Sequence, residues 1–236
     1  KRLDLWGRRS LSQTDAPQSA SDPAPTFRTR FRSPQRQTSP DNSEEEVKVD
    51  MIEIDELFQR VKEYQVNPNF RDEEVGLRCC ELALDALASG NYGVGAVLLD
   101  AEGQVLVEEK NTVFSTQFCS SAHAEMRVID RYETAFRKKH PPGALKLVVS
   151  LEPCPMCLSR ILLSGIGVVK YVAEDDAGGM VNRMSHMPPV WQNLAGLQSF
   201  YHAHVSPELY ELAKILSQHN LTYLRTALMK QRNENQ

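Results

Sequence analysis

Two short runs of the chain hold residue types suited to chemistry: His123-Ala124-Glu125 and Pro153-Cys154-Pro155-Met156-Cys157. Imidazole nitrogen and thiolate sulfur are good ligands for zinc, which prefers a tetrahedron of them. A Cys-x-x-Cys in the first turn of a helix sets two sulfurs on one side of it, and the positive helix end favours their deprotonated forms. His123 supplies a third ligand from a second helix start. Three protein ligands leave one place for water, whose pKa a zinc ion brings to roughly 7. Glu125, two residues beyond His123, points elsewhere than the ligand yet stays within a turn of it. A carboxylate there can take the water's proton and hand it to a leaving group.

Each of these residues also has a plainer reading. Taken alone, His123 is a satisfied buried histidine, and Cys154/Cys157 are a redox pair or half of a structural zinc site. Glu125 alone is an acid favoured by the first turn of a helix. The two runs together favour the metal. Cys79 and Cys80 read as one buried and one half-buried residue on a helix. Cys119, four residues before His123, either approaches the metal or is a loop thiol without a role. Gly93 and Gly95 lack a third glycine at the offset a phosphate cradle needs, and mark a turn and strand entry. Arg127, Arg131, Arg137, Lys138 and Lys139 form a solvated basic face, with contact to phosphates as the alternative. His186, Met180, Met184 and Met187 lie in a loop expected to pack as a lid, with His186 a candidate for substrate contact.

The elements around these runs alternate between strand and helix. Ile52, Leu57 and Val61 predict a short helix. Asp72-Glu73-Glu74 opens a stronger one, carried by Leu77, Cys80, Leu84 and Leu87 and stopped near Gly90. Gly93 to Asp100 and Val105 to Val107 read as a hairpin around Ala101-Glu102-Gly103. A helix over about 122–139 follows, then strands at Leu145 to Leu151 and Ile166 to Ala173, with a helix starting at Cys154 between them. A long loop over 174–190 leads to helical stretches near Val190 to His202 and Pro207 to Gln218. Such alternation implies an α/β sheet covered by helices on both faces.

Composition narrows the setting. Residues 1–40 hold eight Lys or Arg against three Asp, whereas the rest carry nineteen basic and twenty-eight acidic residues. A net acidic folded region is a poor footprint for broad nucleic-acid binding. Residues 1–50 read as a disordered basic tail rich in Ser, Pro and Arg, and 51–236 as the folded domain. The chain opens on Lys1, which reads as a fragment or processed product, and the tail loosely matches an organellar transit segment. Five cysteines without a regular framework suit a reducing, cytoplasmic compartment. No run of eighteen apolar residues is present, so no membrane span is expected.

The paired runs resemble the cytidine deaminase-like superfamily, in particular its branch of tRNA adenosine, guanine and cytosine deaminases. Val94-Gly95-Ala96-Val97, Asn111, His123-Ala124-Glu125 and Leu151-Glu152-Pro153-Cys154-Pro155-Met156-Cys157 carry the likeness. It covers about residues 73–180. The His-x-Glu and Pro-Cys-x-x-Cys pair is the known signature of these enzymes. The resemblance implies an α/β fold, a three-layer α/β/α sandwich around a mixed five-stranded sheet. It implies Zn2+ held by His123, Cys154 and Cys157, Glu125 as proton shuttle, and Asn111 with the Ala124 amide holding the base. The implied reaction is hydrolytic deamination of a free base, a nucleoside or adenosine in tRNA, by a zinc-bound hydroxide in a homodimer or higher oligomer. The other reading is a non-catalytic zinc-binding scaffold or partner subunit.

Overall fold

The computed structural model describes residues 53–233, so the expectations for the basic tail lie outside the described residues. In chain order the elements are α1 (Ile54–Glu63), α2 (Glu73–Ala88), β1 (Gly95–Leu99), β2 (Val105–Lys110), α3 (Ala124–Ala135) and β3 (Lys146–Leu151). Then follow α4 (Pro155–Ser164), β4 (Val168–Ala173), α5 (Pro189–Ala195), β5 (Ser199–His202), α6 (Pro207–Gln218) and α7 (Leu221–Asn233). The strands form one mixed sheet in the order β2-β1-β3-β4-β5, antiparallel on the β2 side and parallel from β3 to β5. Helices α2 and α6 cover one face, with α1 against α2, and α3 and α4 cover the other. The expected three-layer α/β/α sandwich is what forms. Among the described residues no helix is long and apolar enough to cross a membrane.

The pattern of burial explains the layering. β1 lies between two strands and under two helix layers, and all five of its residues are buried. Its alternate side chains serve both faces: Ala96 and Leu98 join Val128, Ile129 and Tyr132 of α3, while Val97 and Leu99 meet Cys79 and Leu82 of α2. Both Cys79 and Cys80 are fully buried, which corrects the half-buried expectation for one of them. α2 passes so close to β1 that a Cβ on Gly95 would sit 2.4 Å from the Cys79 carbonyl oxygen, so only glycine fits there. In the hairpin turn, the Asp100 carboxylate accepts from the amides of Glu102 at 3.0 Å and Gln104 at 2.8 Å, and Gly103 takes a positive φ of 85°.

One stretch departs from the expected reading. The helix predicted to reach His202 stops at Ala195, and Ser199–His202 forms the edge strand β5, paired with Val168 through Tyr171. Four residues are too few to show a period of two, and their partner strand lies thirty residues earlier. The pairing depends on that partner, and local periodicity cannot report it.

Two buried carboxylates fasten the α2 layer to the rest. Asp72 accepts from the Lys170 ammonium at 2.6 Å and from the His204 amide at 2.8 Å. Burial works against its charge, but these donors hold the Asp72 carboxyl below its usual range. Glu73 accepts from the Ser206 amide at 2.8 Å, the Ser206 hydroxyl at 2.7 Å and the Tyr64 hydroxyl, joining α1, α2 and the start of α6. These acids therefore do more than sit favourably in the first turn of a helix.

Candidate metal centre and its cavity

The centre forms where two neighbouring helices begin. His123 is the N-cap of α3 and Cys154 the N-cap of α4, with Cys157 in the first turn of α4. Pro155 opens α4 at a position whose missing N–H would have had no partner in the helix. Arg160 of α4 binds Asp130 at 3.1 Å and Glu133 at 2.6 Å on α3, which holds the two helices side by side. The result brings His123, Cys154 and Cys157 together, with ligand atoms all within 4.8 Å of one another.

Their spacing fits a tetrahedral ion. Zinc–sulfur bonds of about 2.3 Å and zinc–nitrogen bonds of about 2.05 Å give a tetrahedron a sulfur-to-nitrogen edge of about 3.6 Å. The His123 Nδ1 lies 3.5 Å from the Cys157 Sγ and 3.8 Å from the Cys154 Sγ. Among the described residues no fourth His, Cys, Asp or Glu joins the group. A proton shared with Cys157 holds the Cys154 thiol down to about 4, with His123 helping, while the same sharing and burial push Cys157 up. A low thiol is a ready metal ligand.

Glu125 lies beside these ligands and is only 4% exposed. Burial, with the neighbouring Cys154 adding to it, raises its carboxyl above the ordinary range. The centre opens onto a cavity of about 570 Å³ that Tyr92, Asn111, His123, Glu125 and Cys154 help to line. Asn111 is buried; its carboxamide oxygen accepts from the Val113 amide at 3.1 Å, and its NH2 has no partner among the described residues. Ala124 is the fully buried first residue of α3. A larger cleft of about 800 Å³ lies between α2 and β2, but its prominent charges, Arg78 and Glu108, already meet at 2.6 Å.

Other candidates lie elsewhere. Met180, Met184 and Met187 pack on Leu158 and Leu162 of α4, and His186 is exposed and does not line the cavity. Cys119 is exposed and stays out of the metal group. Arg127 and Arg131 are engaged by Glu109 at 2.8 and 3.2 Å. The far wall of the cavity was missed: it comes from Lys214 and Gln218 of α6 and Leu221, Arg225 and Leu228 of α7. Leu221, Leu224 and Leu228, at helical spacing, were the available signal.

Comparison with known proteins bears on this centre. Residues 70–173 match the family model described as the cytidine and deoxycytidylate deaminase zinc-binding region. The tRNA-specific adenosine deaminase of Agrobacterium fabrum is 34% identical over 132 residues, covering 50% of this chain and 85% of that protein. The enzyme of the same name from Bacillus subtilis is 39% identical over 97 residues, 41% of this chain, which spans 58% of that relative's length. A solved structure from studies of A-to-I editing by tRNA:A34 deaminases aligns at 28% identity, with a TM-score of 0.48, over 57% of this chain and 94% of its own. The chemistry of the donor set and the matched region agree that the cofactor is zinc.

Proposed function

Since the chain belongs to the cytidine deaminase-like superfamily, we propose that it is a hydrolytic deaminase that removes the exocyclic amine of a nucleobase. The observation that carries the reading is a buried carboxyl, Glu125, beside three ligand atoms at tetrahedral spacing, with His123, Glu125 and Cys154 facing one cavity. When bound, zinc supplies a Lewis acid that makes water acidic enough to react near neutral pH. His123, Cys154 and Cys157 hold it. Glu125 takes one proton from the attacking water and delivers it to the ring nitrogen, then passes the second, from the new hydroxyl, to the leaving amine. The new carbon–oxygen bond replaces the carbon–nitrogen bond, and ammonia departs. A carboxyl held above its ordinary range is a stronger base than a free one, which suits taking a proton from water. The NH2 of Asn111 and the amide of Ala124 orient the base.

Ammonia release from purified protein, assayed against free bases, nucleosides and an RNA stem-loop, tests the proposal. Stoichiometric zinc with release from at least one of these is expected. Stoichiometric zinc with no release from any would leave the non-catalytic scaffold as the better reading.

A further inference from the structure

The wall of the cavity opposite the metal lies beyond residue 173, outside the stretch that matches the family model. Its outermost piece, α7, is held unlike any other helix lining the site. Two residues connect it to α6, and Asn220 between them takes a φ of 57°, in the left-handed region that asparagine tolerates better than most side chains. Among the described residues α7 makes no side-chain hydrogen bond or ion pair to the body, and Leu224 is its one buried side chain. A 13-residue helix is marginal in water without packing, so its place depends on Leu224 and the half-buried Leu221, Ala227 and Leu228. Elements with so few buried contacts are the ones that open first in a folded protein.

The charge of the cavity points the same way as its size. Glu125, Glu152, Glu174, Asp175 and Asp176 line it against Lys214 and Arg225, and Lys214 is already engaged by Asp176 at 2.9 Å. Such a lining repels a phosphate chain. A volume of about 570 Å³ falls among small-molecule sites, which run to roughly 300–1,000 Å³.

We propose that α7 is a hinged gate that sets the substrate class: seated, it reserves the cavity for a free base or nucleoside, and a base within RNA enters only when α7 swings away at His219-Asn220. This rests on the deaminase reading above. The full chain, loaded with zinc, is assayed for ammonia release from a panel of bases and nucleosides and from an RNA stem-loop of the same bases. Wild type is expected to favour its best small substrate over the RNA by about tenfold or more. Leu224→Ala, whose side chain does not line the cavity, is expected to narrow that ratio at least threefold. It should also speed amide hydrogen exchange over residues 221–229 while leaving α3 and α4 unchanged. Should Leu224→Ala fail to fold, Asn220→Gly, which loosens the connection without touching the seat, replaces it with the same expected direction. Equal or faster turnover of RNA by wild type overturns the gate, as does faster exchange with an unmoved ratio, or exchange that does not change. Those outcomes leave the deaminase reading standing. Silence on every substrate with zinc bound overturns both.

Discussion

The two sides of the cavity are built on different principles. On the metal side, each ligand sits at a helix N-cap or in a first turn, and the two helices are bound together by Arg160 and backed by fully buried Val128, Ile129 and Ile161. On the opposite side, α6 is latched through Ser206 to Glu73 and α7 rests on a few apolar contacts. The first side fixes its groups on packed helices, as proton transfer between positioned groups requires. The second needs only to bound a volume. On the proposed reading, the difference separates the reaction from its choice of substrate, and substitutions on the two sides should fail in different ways.

The largest effect is expected from Glu125→Ala. Losing the proposed shuttle should lower turnover by about 10²–10⁴-fold, the usual worth of a positioned acid–base group, while zinc content stays at the wild-type level. Ammonia release and metal analysis on the same preparation check it. Turnover near the wild-type rate would remove Glu125 from the reaction and blur the contrast between the two walls.

Lys170→Met addresses what both walls share. It leaves Asp72 charged and buried without its partner, and a broken buried pair costs about 3–5 kcal/mol, read from urea unfolding. Adding Asp72→Leu should recover much of the loss, because the orphan charge is then gone. The pair also predicts a pH dependence. Asp72 is depressed in the folded state, so its contribution is complete above the unfolded value of about 3.9 and is lost as pH falls through the lower folded value. Between pH 6 and pH 3 the double variant should lose less stability than wild type. An equal loss in both would show that Asp72 does not govern the acid limb.

The same contrast governs what could be read in advance. That His123, Cys154 and Cys157 would gather was legible because ligand chemistry fixes residue type and helix starts fix position, all within five-residue windows. The hairpin and the run Pro207–Gln218 were legible for the same local reason. The strand β5 was not, since its pairing with β4 is decided across some thirty residues. Nor was the roof of the site. The flexible-looking methionine loop drew attention as a lid, but its side chains found apolar partners on α4, while α7 reached the cavity through the turn at Asn220. Periodicity shows that Leu221, Leu224 and Leu228 share a face, yet it does not name the surface that face will meet.

The last two tests separate a latch from a surface pair. Ser206 caps α6 by accepting from the Leu209 amide at 3.1 Å while donating to Glu73, and Tyr64 shares the same carboxylate. Ser206→Ala removes the cap and one of the carboxylate's donors, and should cost about 1–2 kcal/mol in urea unfolding. Because α6 carries α7, the variant should also raise KM for the best substrate more than it lowers kcat. Arg127→Gln on the metal side breaks a half-exposed pair with Glu109, which keeps Arg131 as a partner. Exposed pairs of this kind contribute about 1 kcal/mol or less, so both stability and kinetics should stay close to wild type. A KM shift from Arg127→Gln as large as that from Ser206→Ala would mean that substrate choice is set through α3 as well, and that the division between the two walls is wrong.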